Sequence, residues 1–296
     1  MRVFITGAAG FIGAATTKEL IAHGHQVTGL ARSDANAEAI KALGAEVHHG
    51  SLQDLDSLAA GAKAADGVIH CAFQHDFSQF AENGRVDKLA IEAMGDAIAG
   101  TNKPFIVTSG TAAIAPGAVV TEQMRRDAGE LSPRVSEQAG LAYAAKGVRA
   151  MAIRLPQVHG APGKAGLISF LVMAARQHGA AAYFGEANER WAAAHVDDVA
   201  RLYRLALEKG ASDGVYHAVG EEGVRMREII EAIGRALNVP VVQKKTEEVA
   251  EYYGPLAMFA GLDMPASSAL TQKWLGWTPT GVGLLEDMAK PGYFDA

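Results

Sequence analysis

The chain has 296 residues, enough for roughly two domains or for one large α/β domain with an elaborated end. With 49% hydrophobic and 20% charged residues it is not a disordered chain, and a net charge of −6 argues against a nucleic-acid or anionic-membrane surface. The single cysteine, Cys71, excludes an intrachain disulfide; no Cys/His spacing suits a metal, and no apolar run approaches the roughly 18 residues of a membrane span. Gly7, Gly10 and Gly13 interrupt the apolar amino-terminal run, so it reads as a strand and a turn rather than a leader, and a cytoplasmic location is expected.

In chain order, short β-branched runs alternate with helical stretches. Strands are predicted at 2–6, 26–31, 45–49, 67–72, 104–109 and 148–155. Helices are predicted at 11–23, 35–43, 54–64, about 84–100, and 134–146. Near-continuous apolar strands alternating with helices imply a parallel sheet covered on both faces. Beyond residue 156 the rhythm loosens. A helix over 166–178, a short strand at 182–184, a helix beginning at Asp198, a strand over 215–219 and an amphipathic helix through Ile229, Ile233 and Leu237 are expected. The predicted architecture is α/β, a Rossmann-type doubly wound parallel sheet with a smaller C-terminal substrate subdomain. Residues 1–160 form the dinucleotide-binding part, with 190–220 returning to it; 161–189 and 221–296 form the subdomain.

The strand Val3-Phe4-Ile5 runs into Thr6-Gly7-Ala8-Ala9-Gly10-Phe11-Ile12-Gly13. Gly7 permits a tight strand-to-helix turn, Gly10 lets a diphosphate approach the backbone, and Gly13 lets the helix pack on the strand. About twenty residues on, where an acid would bind the ribose hydroxyl of NAD, the chain reads Leu30-Ala31-Arg32-Ser33. Arg32 can pair with a 2′-phosphate and Ser33 can donate a hydrogen bond to it, which favours NADP over NAD. The alternative is a solvated Arg32, with Asp34 capping the next helix.

With these residues in place, the chain resembles the short-chain dehydrogenase/reductase superfamily. It is most similar to the extended or atypical branch of epimerase/dehydratases and 3β-hydroxysteroid-dehydrogenase-like proteins. Further markers are Gly50-Ser51-Leu52, Val68-Ile69-His70-Cys71-Ala72-Phe73, Val107-Thr108-Ser109-Gly110-Thr111, Arg154-Leu155-Pro156-Gln157-Val158-His159-Gly160 and His195-Val196-Asp197-Asp198. The resemblance implies that Gly7, Phe11 and Ile12 lie on the diphosphate and that Ser51 and Leu52 flank the adenine. It further implies that Cys71, Ala72, Phe73 and Thr108 line the cofactor trough, with Pro156 and Val158 near the nicotinamide. Asp197 and Asp198 are expected to cap a helix.

The superfamily's Tyr-x-x-x-Lys pair is absent. Ser109 or Thr111 can supply the hydroxyl partner. Counting from Ser109 puts Arg134 at the tyrosine position, whereas counting back from Arg154 puts Gly129 or Glu130 there. Arg134 is too basic to donate a proton but can polarise a carbonyl; the alternative is an ion pair with Glu137. Tyr143 and Lys146 are three residues apart and read as packing and helix-end residues. His75, after the fourth strand, is the other proton-carrying candidate, and His159 and His195 read as structural. The aromatic and aliphatic stretch Tyr252 to Met264 is a candidate pocket wall. The reading is an NADP-dependent oxidoreductase acting on the carbonyl or hydroxyl of a small, largely apolar substrate. Alternatives are a weakly catalytic NAD(P)-binding sensor and an epimerase/dehydratase with tightly held NAD. No nucleic-acid or membrane partner is expected; a homodimer is expected by analogy.

Overall fold

The structure, a computed structural model, describes residues 1–74, 76–112, 114–125, 134–160, 166–254 and 257–295. Its first part alternates strand and helix: β1 (Arg2–Thr6), α1 (Phe11–Ala22), β2 (Gln26–Ala31), α2 (Asp34–Ala42), β3 (Glu46–His49), α3 (Leu55–Ala64), β4 (Gly67–His70) and α4 (Phe80–Ala97). There follow β5 (Pro104–Gly110), α5 (Ser136–Leu141), β6 (Arg149–Leu155), β7 (Gln157–His159), α6 (Leu167–His178), β8 (Ala181–Phe184), β9 (Arg190–His195), α7 (Val196–Lys209) and β10 (Gly214–His217). The remainder holds β11 (Glu221–Arg225), α8 (Met226–Leu237), β12 (Val241–Lys244), α9 (Val249–Tyr253), α10 (Ala257–Ala260), α11 (Ala269–Leu275) and α12 (Leu284–Met288).

The main sheet has seven strands in the order β10-β6-β5-β4-β1-β2-β3, and every pairing in it is parallel. Alternation along each strand divides the core in two. Val3 and Ile5 of β1 pack with Leu20 of α1 and Leu202 of α7, while Phe4 packs with Leu58 of α3 and Ile91 of α4. Chain order reverses between β1 and β4, which opens a crevice at the carboxyl ends of those strands.

Strands β7, β9 and β11, which the hydrophobic pattern does not reveal, form a three-stranded sheet, and β8 pairs with β12. They carry a separate core of Ile168, Leu171, Trp191, Ile229, Ile233 and Tyr253. Among the described residues no helix is long and apolar enough to cross a membrane.

Three expected boundaries are corrected. The fourth strand ends at His70, because the Ala72 N–H leaves the ladder for the Thr6 hydroxyl. The helix expected over 134–146 is α-helical only over Ser136–Leu141 and tightens to a 3₁₀ turn over Ala142–Lys146, ending at the left-handed Gly147 (φ 73°). The helix expected from Asp198 begins at Val196, capped by His195, whose Nδ1 accepts the Asp197 N–H at 3.3 Å. Asp198 instead accepts the Thr280 and Gly281 amides and fastens the C-terminal segment to α7.

Candidate active site

The glycine turn is sterically obligatory. Gly7 has φ +74°, and a Cβ there would lie 2.8 Å from the Ala72 nitrogen. A Cβ on Gly13 would lie 2.1 Å from the Gly7 carbonyl oxygen, so α1 can meet β1 only through a glycine. Gly10 is the N-cap of α1 and provides no side-chain cap. The first-turn amides of a twelve-residue helix therefore face the crevice without a side-chain acceptor.

A cavity of about 930 Å³ runs from this turn across the ends of β4 and β5. Gly7, Gly10, Phe11, Ile12 and Gly13 form its floor; Leu30, Arg32, Asn36, Ser51 and Leu52 close one end. Cys71, Ala72, Phe73, Thr108, Pro156 and Val158 line the middle. The far wall is apolar: Leu167, Phe170, Trp191, Phe259, Leu262 and Met264. The cavity thus gathers nearly all the predicted cofactor residues and, from the candidate C-terminal stretch, Phe259, Leu262 and Met264. Tyr252 and Tyr253 instead join the second core. Leu256 lies outside the described residues.

Ser33 is the exception. Its hydroxyl accepts the Asn36 N–H at 3.3 Å and caps α2, so it does not line the cavity; Asn36, one turn on, does. Asp34 is the first helical residue rather than the cap. Among the described residues Arg32 makes no ion pair. Asn36 carries no signal in the sequence, because nothing along the chain says which face of the predicted helix turns toward the cavity.

Thr108 lines the cavity as expected, but its hydroxyl is already engaged. Its buried hydroxyl donates to the His70 carbonyl and meets the Tyr203 hydroxyl, both at 2.7 Å, so its side chain serves the fold beneath the cavity. Burial pushes the Cys71 thiol up to about 11, against hydrogen bonds to Thr108 and Tyr203 that lower it, and the thiol is neutral near pH 7. Ser109 and Thr111 both line the cavity; among the described residues the Thr111 hydroxyl reaches only the Leu155 carbonyl, at 3.4 Å.

Arg134 stands at the cavity wall just before α5. Its guanidinium lies 3.9 Å above the Phe73 ring, donates from Nη2 to the Thr108 carbonyl at 2.9 Å and from Nε to the Ser136 hydroxyl at 2.8 Å. The alternative pairing with Glu137 does not occur, because Glu137 clasps the fully buried Arg154 at 2.6 and 2.7 Å. Behind Ser136 lies a buried carboxylate, Asp87, which also receives His70. Burial alone would raise the Asp87 carboxyl; hydrogen bonds from His70 and Ser136 and the charges of His70 and Arg134 outweigh it, and the group stays below the usual carboxylate range. Nothing in the sequence pattern singled out this cluster.

His75 lies outside the described residues, as do Gly129 and Glu130. Tyr143 packs in the core, donating to the Glu92 carbonyl, and Lys146 pairs with Asp96, both away from the cavity. His159 is buried against Asp287 at 2.9 Å, and Arg190 is bound by Asp263.

Residues 3–219 match the family model described as the NAD dependent epimerase/dehydratase family. The chain belongs to that family. An uncharacterized protein of Schizosaccharomyces pombe is 43% identical over 296 residues, spanning 99% of this chain and all of its own. A sterol-4-alpha-carboxylate 3-dehydrogenase (decarboxylating) of Dictyostelium discoideum is 26% identical over 247 residues, 76% of this chain and 73% of its own. In the fold, the chain is similar to a dTDP-glucose 4,6-dehydratase from Streptomyces venezuelae solved with NAD. The TM-score is 0.75 and identity 21%, over 100% of this chain and 99% of that one. The glycine turn, crevice and apolar end fit the nicotinamide dinucleotide that gives the family its name.

Proposed function

We propose that this family member is an NADP-dependent oxidoreductase acting on the carbonyl or hydroxyl of a small, largely apolar substrate. The observation that carries the reading is the continuity of one cavity, from an uncapped helix start and an Arg32 with no ion pair among the described residues to an apolar wall. A bound nicotinamide supplies hydride transfer. The chain's own residues do the rest. The α1 amides hold the diphosphate, and Arg32, with Asn36 beside it, meets the 2′-phosphate. Pro156 and Val158 pack against the nicotinamide end. Ser109 donates a hydrogen bond to the substrate oxygen, and the Arg134 guanidinium polarises it and stabilises the developing alkoxide. Leu167, Phe170 and Phe259 exclude water and orient the apolar body of the substrate. A nucleotide-sugar substrate is a poorer fit, because the far wall is apolar and Arg190, next to the lining residue Trp191, is engaged by Asp263.

The test is coenzyme oxidation by the purified protein with a panel of medium-chain and alicyclic ketones and aldehydes. Turnover with apolar members, faster with NADPH than with NADH, is expected. Tight NADPH binding with no turnover of any member would overturn the reading in favour of a sensor.

A further inference from the structure

Arg134 ends a continuous line of hydrogen bonds, buried along its middle, that begins at the glycine turn. The Ala72 N–H donates to the Thr6 hydroxyl at 3.3 Å, and that hydroxyl lies 2.7 Å from His70 Nδ1. His70 Nε2 lies 3.1 Å from Asp87 Oδ1, and the Ser136 hydroxyl donates to Asp87 Oδ2 at 2.5 Å. Arg134 Nε–H completes the line at the Ser136 oxygen. His70 and Asp87 are each 1% exposed and Ser136 2%, so water does not compete for the bonds from Thr6 through His70 and Asp87 to Ser136.

The direction of the bonds follows from the ionised carboxylate. It only accepts, so the proton on His70 Nε2 points at Asp87, while Nδ1 closes the bond to the Thr6 hydroxyl. Ser136 has one proton and gives it to Asp87, which leaves its oxygen to accept from Arg134. Asp87 is therefore the buried counter-charge of Arg134, reached through one hydroxyl. The Thr108 carbonyl and the Phe73 face also hold the guanidinium.

We propose that Ser136 and Asp87 are positioning residues that lock the Arg134 guanidinium in the orientation from which it polarises the substrate oxygen, with His70 and Thr6 bracing Asp87 from the cofactor turn. The proposal rests on the reading of Arg134 given above, and it predicts a kinetic signature that simple loss of fold would not produce. Ser136→Ala removes the link without touching substrate or coenzyme. With the best carbonyl of the panel, kcat should fall about 10- to 100-fold, while KM and the NADPH dissociation constant stay within about twofold. Ser136→Thr, which keeps the hydroxyl, should recover most of the rate.

A second readout is independent of turnover. In arginine-¹⁵N-labelled full-length protein, the Arg134 Nε–H should exchange slowly with solvent. It is assigned by its loss in Arg134→Lys, should persist in Ser136→Thr and should vanish in Ser136→Ala. If the wild type turns over no carbonyl, the functional reading fails, and this resonance still decides the brace. Full kcat with unaltered exchange in Ser136→Ala would overturn the proposal, as would a parallel rise in KM and NADPH dissociation constant. Should Ser136→Ala not fold, a rapidly exchanging Arg134 Nε–H in the wild type overturns it alone.

Discussion

At Arg32 and Ser33 two neighbouring residues that read alike in sequence do different work. The Ser33 oxygen is committed to the first turn of α2, where a cap stabilises by about 1 kcal/mol. Arg32 lines the cavity and makes no ion pair among the described residues. A charge-assisted hydrogen bond contributes about 1.5–3 kcal/mol, so Arg32→Ala should weaken NADPH binding about 10- to 100-fold and leave NADH binding nearly unchanged. Fluorescence titration of the reduced coenzymes checks this, and equal losses for both would contradict it. Ser33→Ala in the same assay should change NADPH affinity little.

Helix α5 shows how one short element is held at both ends. It spans only Ser136–Leu141, too short to be stable by itself. Ser136 ties its start to Asp87, and Gly140 permits contact with Val107, whose side chain would lie 2.5 Å from a Cβ there. Glu137 anchors it to β6 through Arg154, which also donates to the Met124 carbonyl at 2.8 Å and to His217 Nε2 at 3.1 Å. A buried pair that loses one partner leaves an uncompensated charge, so Glu137→Ala should destabilise the protein by about 3–5 kcal/mol. Urea unfolding measures this; a loss under about 1 kcal/mol would mean that Arg154 finds water or another acceptor.

For the molecule as a whole, the same cluster couples folding to pH. His217 on β10 accepts from Arg154 and donates from Nδ1 to the Ser267 carbonyl at 2.7 Å, so it is buried neutral between the main sheet and the C-terminal segment. Burial, then the Arg154 charge, pull its pKa from 6.5 down to about 4. Between those values the unfolded chain takes up a proton that the folded one does not. Stability is complete above pH 6.5 and declines as the pH falls toward 4. His159, its pKa lowered by burial against the opposing pull of Asp287, acts in the same direction. His217→Gln keeps an acceptor for Arg154 and removes the titration. The stability lost between about pH 7 and 5 should then shrink by about 2 kcal/mol relative to the wild type, measured by urea unfolding at each pH. Identical losses would show that His217 does not carry the effect.

The features legible in the chain were those set by neighbours in sequence. Gly7, Gly10 and Gly13 define a turn within eight residues, and the apolar runs of β1, β2, β4, β5 and β6 declare buried strands, whereas β3 is an exposed edge strand. Ser109 and Arg134 could be nominated by counting along the chain. What surrounds them could not. Asp87 meets Ser136 from 49 residues away, Thr6 meets His70 from 64, and β9 joins β7 and β11 although its Ala-rich segment shows no alternation. Those relations arise only when folding removes water from groups far apart in sequence. A buried carboxylate, imidazole or guanidinium must then find its partner wherever the topology delivers one, and periodicity along the chain carries no record of that requirement.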